Sequence, residues 1–212
     1  MKFSKKGFSG VISSMAVLLV LTGIFTWNHT SVTAKAAQKK TVIVYFSATG
    51  TTESVAKRVQ KETKGKLIKI QATDSYSEDD LDWTSDDSRV VKEHESADSP
   101  AKSSVRPEIK NLNAIKKAVK KADIVYIAYP IWWGEAPHIV YNLVENVSLK
   151  GKTVIPFCTS MSSGLGKSDK NLKGNAIISS KTKWLKGKNF FEVPSQKKVS
   201  KWIKSLKLTS KK

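Results

Sequence analysis

Thr41-Val-Ile-Val-Tyr-Phe46 runs directly into Ser47-Ala-Thr-Gly-Thr-Thr52, and this junction decides how the rest of the chain is read. The first half is a short apolar, β-branched run, the pattern of a strand buried on both faces of a parallel sheet. The second half is a hydroxyl-rich loop with one glycine. From about Glu53 to Lys64 the pattern turns helical, with Val55, Ala56 and Val59 on one side, and Gly65 fits a helix stop. A helix start presents unpaired N–H groups and the positive end of the helix dipole. A glycine lets the backbone curl around an anion there, so the loop has the chemistry of a phosphate cradle. A Ser/Thr-rich helix cap is the plainer alternative. The absence of lysine from the loop argues against a nucleoside-triphosphate site.

Outward from this junction, strands alternate with helices. Leu67–Ile70 reads as a second strand, Ala122–Ala128 as a third and Thr153–Phe157 as a fourth. One helix carries Leu112, Ile115 and Val119; the next carries Ile139, Val140, Leu143, Val144 and Val147. Between Asn175 and Val193, Ala176–Ile178 and Asn189–Glu192 compete for the fifth strand. A closing helix places Val199, Trp202, Ile203 and Leu206 at i, i+3, i+4 and i+7. This order predicts a parallel α/β sheet covered on both faces, with a ligand beyond the carboxyl ends of the strands. Residues 74–107 interrupt the rhythm. They are acidic and Ser/Asp-rich without a sustained period, an insertion expected to be functional or mobile.

The chain has 212 residues and one cysteine, Cys158, which excludes an internal disulfide and a multi-cysteine metal site. Its start reads as an export signal: Lys2, Lys5 and Lys6, an apolar stretch from about Val11 to Phe25, then Ala34-Lys35-Ala36. A cut after Ala36 leaves residues 37–212; an uncleaved anchor is the alternative. Four of the 37 basic residues precede that cut and all 18 acids follow it, so the remainder carries +15. Ten of the acids fall between Asp74 and Asp98, which leaves 31 basic and 8 acidic residues elsewhere after the cut. A field of nearly one sign attracts polyanions. No nucleic-acid reading module is present, so the partners expected are anionic lipid, wall polymer or an acidic protein.

Two further loops stand at predicted strand ends. Tyr129-Pro-Ile-Trp-Trp-Gly-Glu-Ala-Pro137 sets two tryptophans between prolines; one is expected beside a ligand ring and the other in a structural position. Cys158-Thr-Ser-Met-Ser-Ser-Gly-Leu-Gly-Lys-Ser168 offers hydroxyls and backbone groups. Its last three residues imitate a nucleotide-binding loop, but that motif requires glycine where Met161 stands. His138 and Cys158 read as packed residues. His94, between Glu93 and Glu95, reads as part of a solvated charge run. No catalytic triad or carboxylate pair emerges.

Tyr45-Phe-Ser-Ala-Thr-Gly-Thr-Thr52 resembles the signature of the flavodoxin superfamily, in which such a loop wraps the phosphate of FMN. The resemblance implies that Ser47, Thr49, Gly50, Thr51 and Thr52 hold the phosphate. The other two loops resemble Y-P-x-W-W-G and F-x-T-S-x-x-S-G-x-G-x-S of small exported bacterial flavodoxin-like proteins. They imply ring contacts from Pro130, Ile131, Trp132, Trp133 and Gly134, and from Thr159, Ser160, Met161 and Gly164. The fold so implied is a flavodoxin-like three-layer α/β sandwich with a five-stranded parallel sheet in order 2-1-3-4-5. The function implied is an FMN-dependent redox protein outside the cytoplasm, an electron carrier or a reductase of quinones or other small acceptors. A flavin-free, basic surface-binding protein on the same fold is the competing expectation.

Overall fold

The computed structural model describes residues 39–208; the export segment expected over residues 1–36 lies outside the described residues. The apolar run opens the sheet as β1 (Thr41–Tyr45), followed by α1 (Thr51–Thr63) and β2 (Lys66–Lys69). Then come α2 (Arg89–Glu95), α3 (Leu112–Lys121), β3 (Ile124–Pro130) and α4 (His138–Asn146). β4 (Thr153–Thr159) and α5 (Ser168–Asn175) precede two short strands, β5 (Lys183–Trp184) and β6 (Lys188–Phe190), and α6 (Gln196–Ser205) closes the described chain. All strand pairs are parallel, in order β2-β1-β3-β4-β5, with β6 also paired to β4. Among the described residues no helix is long and apolar enough to cross a membrane.

Period-two alternation sorts the sheet's side chains onto two cores. Val42, Val44 and Phe46 face one side, where α3, α4 and α5 bring Ile115, Val140 and Leu172. Ile43 and Tyr45 face the other, against Val55 and Val59 of α1 and Val199 of α6. Because both faces are covered, the inner strands are apolar at nearly every position, which is why their sequences read as continuous runs.

Three sequence expectations change. The fifth strand is divided: β5 and β6 pair with opposite ends of β4, so Asn189–Phe190 belongs to the sheet while Phe191 and Glu192 do not. Ala176–Ile178 is apolar for another reason, since Ile177 donates to Val144 and accepts from Leu149 while its neighbours pack on the α4 core. Asp169 holds the division open, accepting from the Trp184 indole at 2.7 Å and the Gly187 N–H at 2.9 Å. Gly65 is not the left-handed residue of the helix stop; Lys64 takes that conformation at φ 56°. Gly65 is needed for close approach, since a Cβ there would stand 2.7 Å from Ile43 Cδ1.

The third change concerns the insertion, which is ordered around α2. Ser88 caps this helix, and Val90, Val91 and Glu93 are buried. Far from lying in a solvated charge run, Glu93 accepts from the Tyr76 hydroxyl at 3.0 Å and from Arg89 Nε at 2.8 Å. The Arg89 guanidinium in turn lies 4.0 Å from the centre of the Tyr76 ring. Burial raises the Glu93 pKa, while its bonds to Arg89 and Tyr76 oppose that rise. A charge too costly to bury alone is thus held by two charge-assisted partners.

Candidate functional site

The carboxyl ends of β1, β3 and β4 surround a cavity of about 620 Å³, within the range of small-molecule and cofactor sites. At its base α1 begins. Gly50 is the N-cap at φ 90°, and no side chain caps the helix. The loop is closed from within: Ser47 Oγ accepts the Gly50 N–H at 3.1 Å, and Ser54 returns both its N–H and its hydroxyl to the Gly50 carbonyl at 3.0 Å. The hydroxyl residues Thr49 and Thr51 are exposed into the cavity, whereas Thr52 is buried at its wall. Thr52 Oγ1 lies 2.8 Å from Thr159 Oγ1, a bond that ties the first loop to the end of β4.

The second wall is the loop after β3. Trp132 and Glu135 exchange backbone hydrogen bonds of 2.9 Å in both directions, leaving Trp133 and Gly134 at the tip of a two-residue turn. Both tip residues have positive φ, 46° and 76°, the combination a type I′ turn demands. Glycine accepts this freely, but tryptophan is strained by it. The strain is offset by a stacked imidazole: the His94 ring lies parallel to Trp133 at 4.4 Å between centroids. Trp132 is held differently, edge-on to Phe46 at 5.8 Å and to Tyr76 at 5.7 Å. Both tryptophans line the cavity, Trp132 packed against core aromatics and Trp133 part-exposed at the turn.

Beneath the turn, buried Glu135 accepts from the Tyr141 hydroxyl at 3.0 Å and from Asn171 Nδ2 at 2.7 Å. Burial raises its pKa. The third wall is the loop after β4, which supplies Thr159, Ser160, Met161, Ser162 and Ser163. It is docked on the second wall where the Lys167 N–H donates to the Gly134 carbonyl at 3.0 Å. A side chain at Gly166 would collide with that same carbonyl. Cys158 lies under this loop with its thiol pushed up to about 12 by burial and by the Asp169 charge. Such a thiol is protonated and inert near neutral pH.

Of the residues singled out in the sequence, Thr49, Thr51, Thr52, Pro130, Ile131, Trp132, Trp133, Thr159, Ser160 and Met161 meet around the one cavity. Ser47, Gly50, Gly134 and Gly164 stand behind it and shape the loops. Ser47 also borders a smaller cleft of about 380 Å³ with Lys69 and Lys110. The sequence reading missed Leu81, Trp83 and Val90, which the insertion brings to the cavity wall. The signal was there in Trp83, a lone indole in an acidic, Ser/Asp-rich stretch.

No ionisable side chain lines the cavity among the described residues. Its polar groups are hydroxyls and the start of α1; its remaining surface is aromatic and aliphatic. That donor set suits a flat aromatic ligand bearing an anion, whose charge would be met by N–H groups and the helix dipole.

Comparisons with known proteins agree with this architecture. A provisionally named flavoprotein from Bacteroides eggerthii DSM 20697 is 33% identical, over 81% of this chain and 99% of its own, with a TM-score of 0.67. A similarly named protein from Bacteroides uniformis ATCC 8492 is 34% identical over 78% of this chain and 98% of its own, with a TM-score of 0.64. A flavoprotein from Lactobacillus acidophilus NCFM, solved in complex with FMN, shares the fold at 20% identity and a TM-score of 0.51, over 78% of this chain and 99% of its own. No curated protein matches the chain. Residues 40–206, nearly all of the described chain, match the family described as flavodoxin, and the chain belongs to that family.

Proposed function

We propose that the cavity binds FMN and that the protein is a redox carrier or reductase acting outside the cytoplasm. The observation that carries this reading is the convergence of three strand-end loops on one uncharged cavity with an uncapped helix start at its base. The residues present fit FMN. Ser160 Oγ is buried at the cavity wall without a hydrogen-bond partner, as expected of a group reserved for a ligand. The solved flavoprotein–FMN complex with this fold supports the choice of flavin.

In this reading Thr49, Thr51 and the first N–H groups of α1 hold the phosphate. Trp132, Trp133 and Ile131 flank the ring, and Thr159 and Ser160 meet its polar edge. Bound FMN supplies the electron-carrying ring, and the protein sets its access and surroundings. Leu81 and Val90 exclude water from one side. Met161, 95% exposed, and Trp83, 71% exposed, mark the open side by which a partner reaches the site.

The test is an absorbance spectrum of the chain after FMN addition and desalting. Retained flavin with a spectrum shifted from the free form supports the reading. A folded chain that retains none would refute it and favour a basic surface-binding protein on this fold. Export rests on residues 1–36, and N-terminal sequencing of protein recovered outside the cytoplasm tests the cut after Ala36.

A further inference from the structure

We propose that the end of the sheet opposite the cavity is an electrostatic docking face for an anionic phospholipid bilayer. This inference does not rest on flavin binding. The strands start in register: Thr41 pairs with Ile124, Ile124 with Thr153, and Thr153 with Lys183, while Lys66 pairs with Val42. Their heads therefore form one broad end of the molecule. Lys40, Lys66 and Lys183 are exposed there. Lys150 and Lys181 join them, because the turn before β4 bonds to Thr182 through the Gly151 N–H at 3.1 Å. Among the described residues none of these five ammonium groups pairs with a carboxylate.

Three acids stand near this end; Asp123 and Glu62 keep their charge, Glu145 is paired with a base, and the five lysines outnumber them. Asp123 accepts the Lys40 N–H at 2.8 Å. Glu62 accepts from Ser200 at 2.8 Å, and Glu145 is clasped by Arg106 at 2.6 and 2.8 Å.

A plainer explanation is that lysines gather where helices end, to meet the carbonyl end of the dipole. It accounts for Lys120 and Lys121 on α3 and Lys204 on α6. It also accounts for Lys152, whose ammonium caps α3 through the Ala122 carbonyl at 2.6 Å, and for Lys39, which reaches the Leu208 carbonyl at 3.0 Å. It does not account for the five lysines at the strand heads. Each helix end offers only about half a negative charge, so the surplus remains strongly positive.

Nor does the acidic insertion cancel this charge. Asp79, Asp80 and Asp82 flank Leu81 and Trp83 at the cavity end, and β3 and β4 are seven residues long. At about 3.3 Å per residue the two ends are separated by about 23 Å. Screening in physiological salt acts over about 8 Å, so each end presents its own field.

Breadth and chain path favour a bilayer over a soluble polymer. Five strand heads at about 4.8 Å spacing make a face about 20 Å across, broad enough to lie on a bilayer. The described chain enters at this face through Lys39, and the segment before it is acid-free and contains the apolar run Val11–Phe25. Basic residues that follow an apolar run in sequence are the usual arrangement of charge beside an anionic membrane surface. With this face on the bilayer, the cavity and its exposed rim point into solution.

The experiment is co-sedimentation of the full chain with phosphatidylcholine vesicles, with and without phosphatidylglycerol. Two triple variants of equal net charge are compared with it: K66Q/K150Q/K183Q at the strand heads and K102Q/K170Q/K197Q away from them. All six side chains are exposed, and circular dichroism checks that both variants fold. The expected result is salt-sensitive binding that requires phosphatidylglycerol, about a hundredfold weaker in the strand-head variant and within about twofold of the parent in the other. Equal losses in the two variants would overturn the proposal, leaving only a diffuse net charge. Equal binding to neutral vesicles would overturn it as well, assigning attachment to the apolar segment. Capture by soluble polyphosphate without capture by vesicles would also be fatal to it.

Discussion

His138 opens α4 with its imidazole almost wholly buried and Nε2 3.4 Å from Ser96 Oγ. Burial, then the charges of Arg106 and His94, push its pKa down to about 4. The unfolded chain holds this proton with a pKa of about 6.5, so no stability depends on it above that pH. Between about 6.5 and 4 the unfolded state binds the proton first and stability falls; below 4 the loss is complete, at about 3 kcal/mol. Glu93 and Glu135, whose pKa values are raised, act in the opposite sense and gain stability as the pH falls through their folded values. The variant His138→Gln removes only the histidine's share. The difference in urea-unfolding free energy between parent and variant is expected to change by about 3 kcal/mol between pH 7 and pH 4. A constant difference would mean that the imidazole takes up its proton as readily in the folded protein as in the unfolded chain. At this scale the hydroxyl loop was legible because its residues are consecutive. The pairings Tyr76 with Glu93 and His94 with Trp133 were not, since each joins residues far apart in sequence and draws on a segment whose composition reads as solvated.

Among the elements, α2 has the most to lose from one substitution. Arg89 bonds to Glu93 within the helix and to the Asp74 carbonyl at 3.0 Å, so it ties the middle of the insertion to its start. Arg89→Ala leaves Glu93 buried beside the Tyr76 hydroxyl alone, at a cost of about 2 kcal/mol. Because α2 lies against the turn at Asp79–Leu81 and its valines belong to neither core of the sheet, the loss is expected to appear as local opening. Limited proteolysis within residues 74–107 should quicken by about thirtyfold while the melting of the sheet barely moves, since about 1.4 kcal/mol is a tenfold change in an equilibrium. A matching fall in global stability without selective cleavage would show that α2 unfolds with the core. The main strands and helices were legible for the same reason that they are stable: each buries a continuous run or a clean stripe. The divided fifth strand was not, because β5 has two residues and β6 three, too few to show a period. What decides their place is Asp169, which lies in another element.

For the whole molecule, charge is the quantity still to be reckoned with. Beyond residue 36 the chain carries 33 basic and 18 acidic residues, and few of the surplus lysines are paired. Such self-repulsion weakens the compact state and is relieved by screening. Raising sodium chloride from about 20 to 200 mM is expected to raise Tm by about 2–4 °C, the shift that about 1 kcal/mol gives a domain of this size. A Tm indifferent to salt would mean that the lysines are too dispersed to repel one another. The net charge was readable from composition, but its division between two ends was not, because that depends on the strands starting in register.

The two margins of the sheet carry a last consequence. β2 is four residues long with exposed Lys66 and Lys69 at its ends, and the opposite margin is broken into β5 and β6. Unpaired strand edges invite another chain to add its own strand, and short, interrupted or lysine-bearing edges refuse that invitation. A sheet whose interior strands are nearly all apolar is therefore guarded at its margins against amyloid-like stacking, even where copies crowd together on a surface.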